Sequence, residues 1–343
     1  MIKKYRAAVV YGRGDVRLTE VPFDPLEPDE VLIEVHKANI CPTDLRGFRG
    51  AKPVRSPERV GHEFAGYVVE VGGNVHRVKI GDRVTCLSWT PCYRCGKCTR
   101  GKYSACERRT MNMGAFAEYI AVKESAVYKI PDHLPFEVAA CAEPLASVLK
   151  ANTEVTPVQL CDTVVVYGLG PMGQLHLQAA RLLGAALVIG IDLLPSRLDI
   201  ALTCGADHVV HAGQEDPVEA VRRLTGGEGA DIVMVAVGGA AEAPCTENAV
   251  RMAAFGGKIN VFTGTYPERS VTVDPNLIHY QELTVTGTRS YNIRTFEMAL
   301  NLLASGRVNV APIRYPEITL EEIQKGFELH GTQHAMKVAV NIR

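Results

Sequence analysis

Over the first 147 residues the apolar positions come in short runs. VLIEV at 31–35, AGYVVEV at 65–71 and the segment 83–87 are β-branched and of strand length, separated by glycine and proline punctuation such as Gly72, Gly73, Gly81 and Asp82. From about residue 160 the rhythm changes. TVVVY at 163–167 is a continuous apolar run, as a parallel strand buried on both faces requires. The pattern then predicts a helix over 172–183, a strand over 187–191, a helix over 196–203, a strand over 231–237, a helix over 243–254 and a strand over 258–261. Strands alternating with helices predict a doubly wound parallel sheet. After the apolar segment 283–287 come a helix over 294–303 and a tail, 338–341, expected to rejoin the first domain. The expected fold class is therefore two-domain α/β. A β-rich domain spans 1–147 and is completed by 289–343, and the doubly wound parallel sheet spans 148–288.

Composition narrows the function. With 343 residues the chain is long for one core and suits two domains. Hydrophobic residues at 47% and charged residues at 22% fit a globular protein, and a net charge of −1 gives no footprint for nucleic acid or membrane. No apolar run approaches the roughly eighteen residues of a membrane span. The start, MIKKYRAAVVYGRGDV, lacks a signal-like apolar core, so a cytoplasmic location is expected.

That location bears on the ten cysteines, because reduced thiols argue against a disulfide framework. Four of them, Cys92, Cys95, Cys98 and Cys106, fall within CYRCGKCTRGKYSAC as C-x2-C-x2-C-x7-C. Four thiolates with no open position make a closed structural zinc site, with Arg94, Lys97, Arg100, Lys102, Arg108 and Arg109 nearby to offset its charge. A redox pair would need a strand–helix context, whereas Pro91, Gly96 and Gly101 mark a loop. An iron–sulfur cluster stays open on spacing alone.

The first turn of the parallel sheet reads Gly168-Leu169-Gly170-Pro171-Met172-Gly173. A bare G-x-G-x-x-G is weak, but a buried strand precedes this one and a helix follows. Gly168 permits the tight turn, Gly170 the approach of a pyrophosphate and Gly173 close helix packing. Asp192 ends the second strand, nineteen residues after Gly173, where a carboxylate can accept from adenosine ribose hydroxyls and repel a 2′-phosphate. NAD is thus expected over NADP. Arg197 could pair with a 2′-phosphate, or be a solvated residue at a helix start.

Three weak signals combine elsewhere: Cys41 in NICPTD, His62 and Glu63 in GHE, and Glu143 in AEPLA. Singly, each reads as a core or surface residue. Together they offer a thiolate, an imidazole and two carboxylates, a donor set for an open zinc site able to polarise an alcohol or carbonyl oxygen. Thr43 could relay a proton or simply bond its own backbone. Asp44 could orient His62 or form a local turn.

The ordered set VLIEVHKANICPTDL, GHEFAGYVVEVGGNVHRVKIGDRV, the four-cysteine lobe, GAFAEYIAV, AEPLA, VVVYGLGPMGQLHLQAARLLGA and GADHVV resembles the zinc-dependent medium-chain dehydrogenases over essentially the whole chain. The resemblance implies a GroES-like catalytic domain and a Rossmann domain. It implies two Zn2+ per subunit. Cys41 and His62 hold the catalytic one, with Glu63 and Glu143 as ligands or near ligands, and the four clustered cysteines hold the structural one. It implies cofactor contacts at Val261, Thr263, Thr288 and Arg289, beside Pro171 and Met172. Arg289 reads equally as a substrate or nicotinamide contact or as an interdomain salt bridge. AEPLA resembles the polyol (sorbitol) branch more than alcohol dehydrogenases with cysteine there. Arg46 replaces the histidine relay common in the family. It cannot act as a base at neutral pH, so Thr43, a ribose hydroxyl or water must carry the proton.

The expected activity is NAD-linked oxidation of a secondary alcohol on a polyol or sugar-like substrate. L-threonine 3-dehydrogenase and simple alcohol dehydrogenase are the alternatives within enzymes. The intact set Cys41, His62, Glu63 and Glu143 weighs against an inactive crystallin-like scaffold. The family habit of pairing edge strands points to a homotetramer, or a homodimer, with 283–287 as the candidate edge.

Overall fold

Strand Glu30–Asn39 runs antiparallel to Glu63–Val71 with Asn39 opposite Glu63, and antiparallel to Ala339–Asn341 with Ala339 opposite Asn39. Segments 300 residues apart in the chain therefore end side by side. The computed structural model describes residues 3–54, 57–264, 268–332 and 334–343. The chain divides into two compact units. One comprises Met1–Pro144, Phe296–Gly306 and Val310–Arg343, the other Leu145–Thr295 and Arg307–Asn309.

The first unit is β-rich. Its largest sheet has the order Val127–Lys129, Arg83–Cys86, Glu63–Val71, Glu30–Asn39, Ala339–Asn341, Glu317–Thr319, with Tyr119–Lys123 also paired to Glu30–Asn39. Ile33, Val35, Phe64, Val68, Val84, Phe116, Phe327 and Val338 fill its core. Phe64 is 1% exposed. Burying such a ring contributes roughly 2 kcal/mol, and it pins the backbone next to Glu63. The tail does return to this sheet. A hairpin of Lys4–Gly12 and Asp15–Pro22 precedes it, and the hydrophobic pattern did not predict that hairpin.

The second unit holds a six-stranded parallel sheet: β1 Thr163–Tyr167, β2 Leu187–Asp192, β3 His208–His211, β4 Ala230–Val235, β5 Ala253–Val261 and β6 Thr284–Gly287. Its order is 3-2-1-4-5-6, with the topological switch point between β1 and β4. The first helix, Pro171–Leu183, starts with proline at its first turn, where the missing N–H costs nothing, and ends at Gly184 in the left-handed region.

The structure corrects several expected elements. The helix expected over 243–254 stops at Met252, and β5 begins at Ala253 rather than at 258. Alanine favours helix, but Ala253 pairs with Ala230, and sheet pairing overrides the local preference. Strand β3 and the helix Pro217–Leu224 were not expected. The helix has a legible start, because Asp216 accepts from the Val218 and Glu219 amides and Pro217 follows it. In the expected edge segment, Leu283 lies outside β6 and is buried, while Val285 within β6 is 43% exposed. No helix among the described residues is long and apolar enough to cross a membrane.

Candidate metal centres and dinucleotide cradle

The converging strand ends bring chemistry together. Cys41 follows Glu30–Asn39, and Glu63 opens the neighbouring strand with His62 just before it. One ligand atom each of Cys41, His62 and Glu63 lies within 4.8 Å of the others. His62 and Glu63 are buried and Cys41 is half-buried.

Asp44, fully buried, organises this set. Its Oδ1 lies 3.0 Å from His62 Nδ1 and accepts from the Gly61 amide at 3.0 Å, and its Oδ2 accepts from the Cys41 amide at 2.9 Å. Asp44 thus forms the local turn and orients His62 in one arrangement. With Nδ1 engaged, the ring's Nε2 is left for a ligand.

Glu63 is held from the other side. Lys337 Nζ donates to its Oε1 at 2.8 Å, with side-chain exposures of 3% and 1%. Among the described residues its Oε2 is buried without a hydrogen-bond partner, which is costly unless something positive meets it. Burial opposes charge on His62, but Asp44 and Cys41 outweigh it and raise the imidazole well above its usual range. The donor set fits a divalent cation, which would answer the orphaned oxygen and the thiolate together.

Glu143 stands outside that mutual 4.8 Å set, on the first turn of helix Ala142–Lys150, and accepts from Ser88 Oγ at 3.1 Å. Burial and Glu63 push its carboxyl up to about 7, against the pull of His62 and Lys337. Thr43 and Arg46 are exposed beside Cys41. Lys337 was missed in the sequence. A lone lysine in the apolar run HAMKVAV was its only signal.

The four clustered cysteines converge as their spacing suggested. Their Sγ atoms lie within 4.8 Å of one another, with Cys95–Cys98 at 3.5 Å, Cys95–Cys106 at 3.8 Å and Cys92–Cys98 at 4.0 Å, and none is in a disulfide. Four sulfurs about 2.3 Å from one tetrahedral zinc stand roughly 3.8 Å apart. This spacing fits a single ion and is too tight to enclose an iron–sulfur cubane. The amides of Cys98 and Lys97 help lower the Cys95 thiol to about 6, whereas burial and its cysteine neighbours push Cys98 up to about 12. Such mutual opposition among thiols is what a divalent cation relieves.

In the second unit the predicted cofactor residues gather at the carboxyl ends of the strands, where doubly wound sheets bind ligands. Gly168 follows β1 with φ +94°, and a Cβ there would meet Val237 Cγ2 at 2.6 Å. A Cβ on Gly173 would fall 1.9 Å from the Gly168 carbonyl oxygen, whereas one on Gly170 would meet none of the described residues within 4 Å. Helix and turn are therefore pressed together at Gly173, and open space lies over Gly170. Among the described residues, the first bond into the helix is Gln174 N–H to Gly170 O at 3.0 Å, which leaves the Met172 and Gly173 amides at the open end. Such an end suits an anion, so the cradle fits a dinucleotide pyrophosphate.

Asp192 does more than expected. Its Oδ2 accepts from the Leu169 amide at 2.7 Å and its Oδ1 from the Leu193 and Leu194 amides at 2.8 and 3.0 Å, tying the glycine turn to the end of β2. Arg197 Nη1 lies 3.6 Å from Oδ2. Thr263 Oγ1 donates to the Val237 carbonyl. Thr288 N–H donates to Val261 O at 3.2 Å, and its Oγ1 accepts from Asn260 at 2.9 Å. Arg289 is exposed, and its carbonyl accepts from Lys150 Nζ at 2.8 Å.

Sequence comparison agrees with this layout. The alcohol dehydrogenase GroES-like domain profile matches residues 27–132, and the zinc-binding dehydrogenase profile matches residues 171–305. The chain is 35% identical to L-threonine 3-dehydrogenase of Bacillus licheniformis over 319 residues, 90% of each chain. It is also 35% identical to D-arabitol-phosphate dehydrogenase of Enterococcus avium over 338 residues, 96% of this chain and 94% of that one. A crystal structure of ECK1772, an Escherichia coli oxidoreductase/dehydrogenase of unknown specificity, superposes with a TM-score of 0.92 at 29% identity, covering 99% of both chains.

Proposed function

The chain belongs to the zinc-dependent medium-chain dehydrogenase/reductase superfamily, and on that premise we propose that it oxidises a secondary alcohol of a polyol or sugar-like substrate to the ketone with NAD. The observation that carries this reading is the Cys41–His62–Glu63 set, with Asp44 behind the imidazole and a buried carboxylate oxygen that has no hydrogen-bond partner among the described residues. Cys41, His62 and Glu63 would hold the catalytic zinc, with Glu143 as the second carboxylate close by. Cys92, Cys95, Cys98 and Cys106 would hold the structural one. A zinc at the first site supplies the Lewis acidity that makes an alcohol proton easier to lose.

The chain's own residues do the rest. Asp44 fixes the imidazole. Thr43, an exposed residue two positions after Cys41, would carry the proton outward, since Arg46 cannot act as a base. The open turn at Gly170, with Pro171, Met172 and Gly173, would take the pyrophosphate, and Asp192 the adenosine ribose. Val261, Thr263, Thr288 and Arg289 would line the rest of the cofactor's path. Asp192 supports NAD over NADP, and its contact with Arg197 keeps that guanidinium turned to a carboxylate. The catalytic domain expected over 1–147 with 289–343 and the Rossmann domain expected over 148–288 would correspond to the two compact units, whose bounds fall instead at Pro144/Leu145 and Thr295/Phe296, with Arg307–Asn309 in the second.

L-threonine is the second reading, favoured by the name of the Bacillus relative. It would need a carboxylate partner such as Arg46 or Arg289. NADH formation is the test, run against polyols, sugar derivatives, their phosphates, L-threonine and simple alcohols, with NADP in parallel. Turnover of a polyol or sugar derivative supports the first reading. Turnover of L-threonine alone replaces it with the second. We further propose a cytoplasmic homotetramer formed through the exposed edge β6, where Val285 is 43% exposed. Sedimentation of Val285→Lys tests this, a smaller species being the expected result.

A further inference from the structure

The dehydrogenase reading leaves a buried lysine unexplained. Lys337 is as deeply buried as the residues of the cation set, yet it has no part in holding a metal. Its backbone is fixed on both sides. Its N–H donates to Ile313 O at 2.9 Å, and the carbonyl of the next residue, Val338, accepts from the Ile40 amide at 2.9 Å, one residue before Cys41. The root of its side chain is thus held beside the site, and burial leaves its ammonium paired with Glu63. It grips Oε1 at 2.8 Å and leaves Oε2 as the buried oxygen without a partner.

A carboxylate with both oxygens free can close on a cation with two bonds and fill its open position. One whose first oxygen accepts from an ammonium offers mainly the second, because the ammonium's charge keeps a cation away from the first and draws charge from the whole group. We propose that Lys337 is a positioning residue that meters Glu63. It keeps the carboxylate a one-oxygen, exchangeable ligand, so that a coordination position stays available for the substrate oxygen. This rests on the proposed zinc dehydrogenase reading. It adds that the metal's hold on Glu63 is set by a residue 274 positions away in sequence.

The test is zinc release from the holoenzyme to a colorimetric chelator, which needs no turnover. The release phase absent from Cys41→Ser identifies the Cys41 cluster. In Lys337→Met, Glu63 has both oxygens free, and release should slow about tenfold, the scale on which partners behind a metal ligand act. The same variant should lose kcat while KM for NAD stays unchanged. In Lys337→Arg the planar fork can take both carboxylate oxygens, and release should be faster than in the wild type. A merely structural lysine would move both variants in the same direction, toward faster release, and that result overturns the proposal. The direction in the methionine variant decides, and if that variant does not fold, Lys337→Leu, which equally removes the ammonium, takes its place with the same slowing expected. In Glu63→Gln/Lys337→Met the slowing should vanish, and its persistence would show that Lys337 does not act through Glu63. Failure of the parent reading is distinguishable: wild-type enzyme would then show no release phase that depends on Cys41.

Discussion

Asp44 Oδ1 lies 3.0 Å from His62 Nδ1, with both side chains buried and the other carboxylate oxygen on the Cys41 amide. One carboxylate thus sets the direction of two donors at once. Asp44→Ala should release both. The expected result is a fall of about 10–100-fold in affinity for the metal at this site or in turnover, with the zinc of the four-cysteine lobe retained. Metal analysis after dialysis, together with initial rates, measures it.

The lobe makes the opposite prediction. Cys95→Ser leaves three thiolates and an incomplete tetrahedron. Zinc per chain should fall from two to one and the melting temperature should drop, while the zinc held with Cys41 and the activity at low temperature persist. Calorimetry and metal analysis on one sample separate these effects.

Two glycines three residues apart should fail in different ways. A methyl on Gly173 meets the Gly168 carbonyl at 1.9 Å, whereas one on Gly170 meets open space. Gly173→Ala should destabilise the fold by roughly 1–3 kcal/mol. Gly170→Ala should fold normally yet bind NAD at least about tenfold more weakly, because the methyl occupies the approach to the pyrophosphate. Thermal melts with and without NAD distinguish the two.

How much of this could be read from the sequence depends on how local each feature is. The run at 163–167, the glycine turn and the four cysteines are written within a few residues of one another, and all form as expected. The Cys41 and His62 pairing was legible only as an ordered set of distant motifs. Lys337 was not legible, because what defines it is a register. Asn39 opposite Glu63 and Ala339 opposite Asn39 bring the tail to the site, and no spacing in the chain encodes that. In the sequence Asp192 reads as a ribose acceptor, and its three amide bonds appear only once the turn is folded.

His176 gives a pH prediction. It is fully buried on the helix Pro171–Leu183, its Nδ1 lies 2.7 Å from Asn152 Nδ2, and burial pushes it down to about 3. The unfolded chain takes up this proton near pH 6.5, while the folded chain refuses it until about pH 3. Stability from this residue is therefore complete above pH 6.5 and lost as pH falls from about 6.5 toward 3, by up to a few kcal/mol. Urea melts across that range should show the slope, and His176→Gln should flatten it.

The most direct measurement is zinc content and NAD-linked turnover of Cys41→Ser beside the wild type, with NAD binding followed by calorimetry. The account predicts one zinc fewer per chain, turnover abolished on every substrate the wild type accepts, and NAD affinity unchanged. Two zincs retained, or turnover that survives without the second, would contradict it.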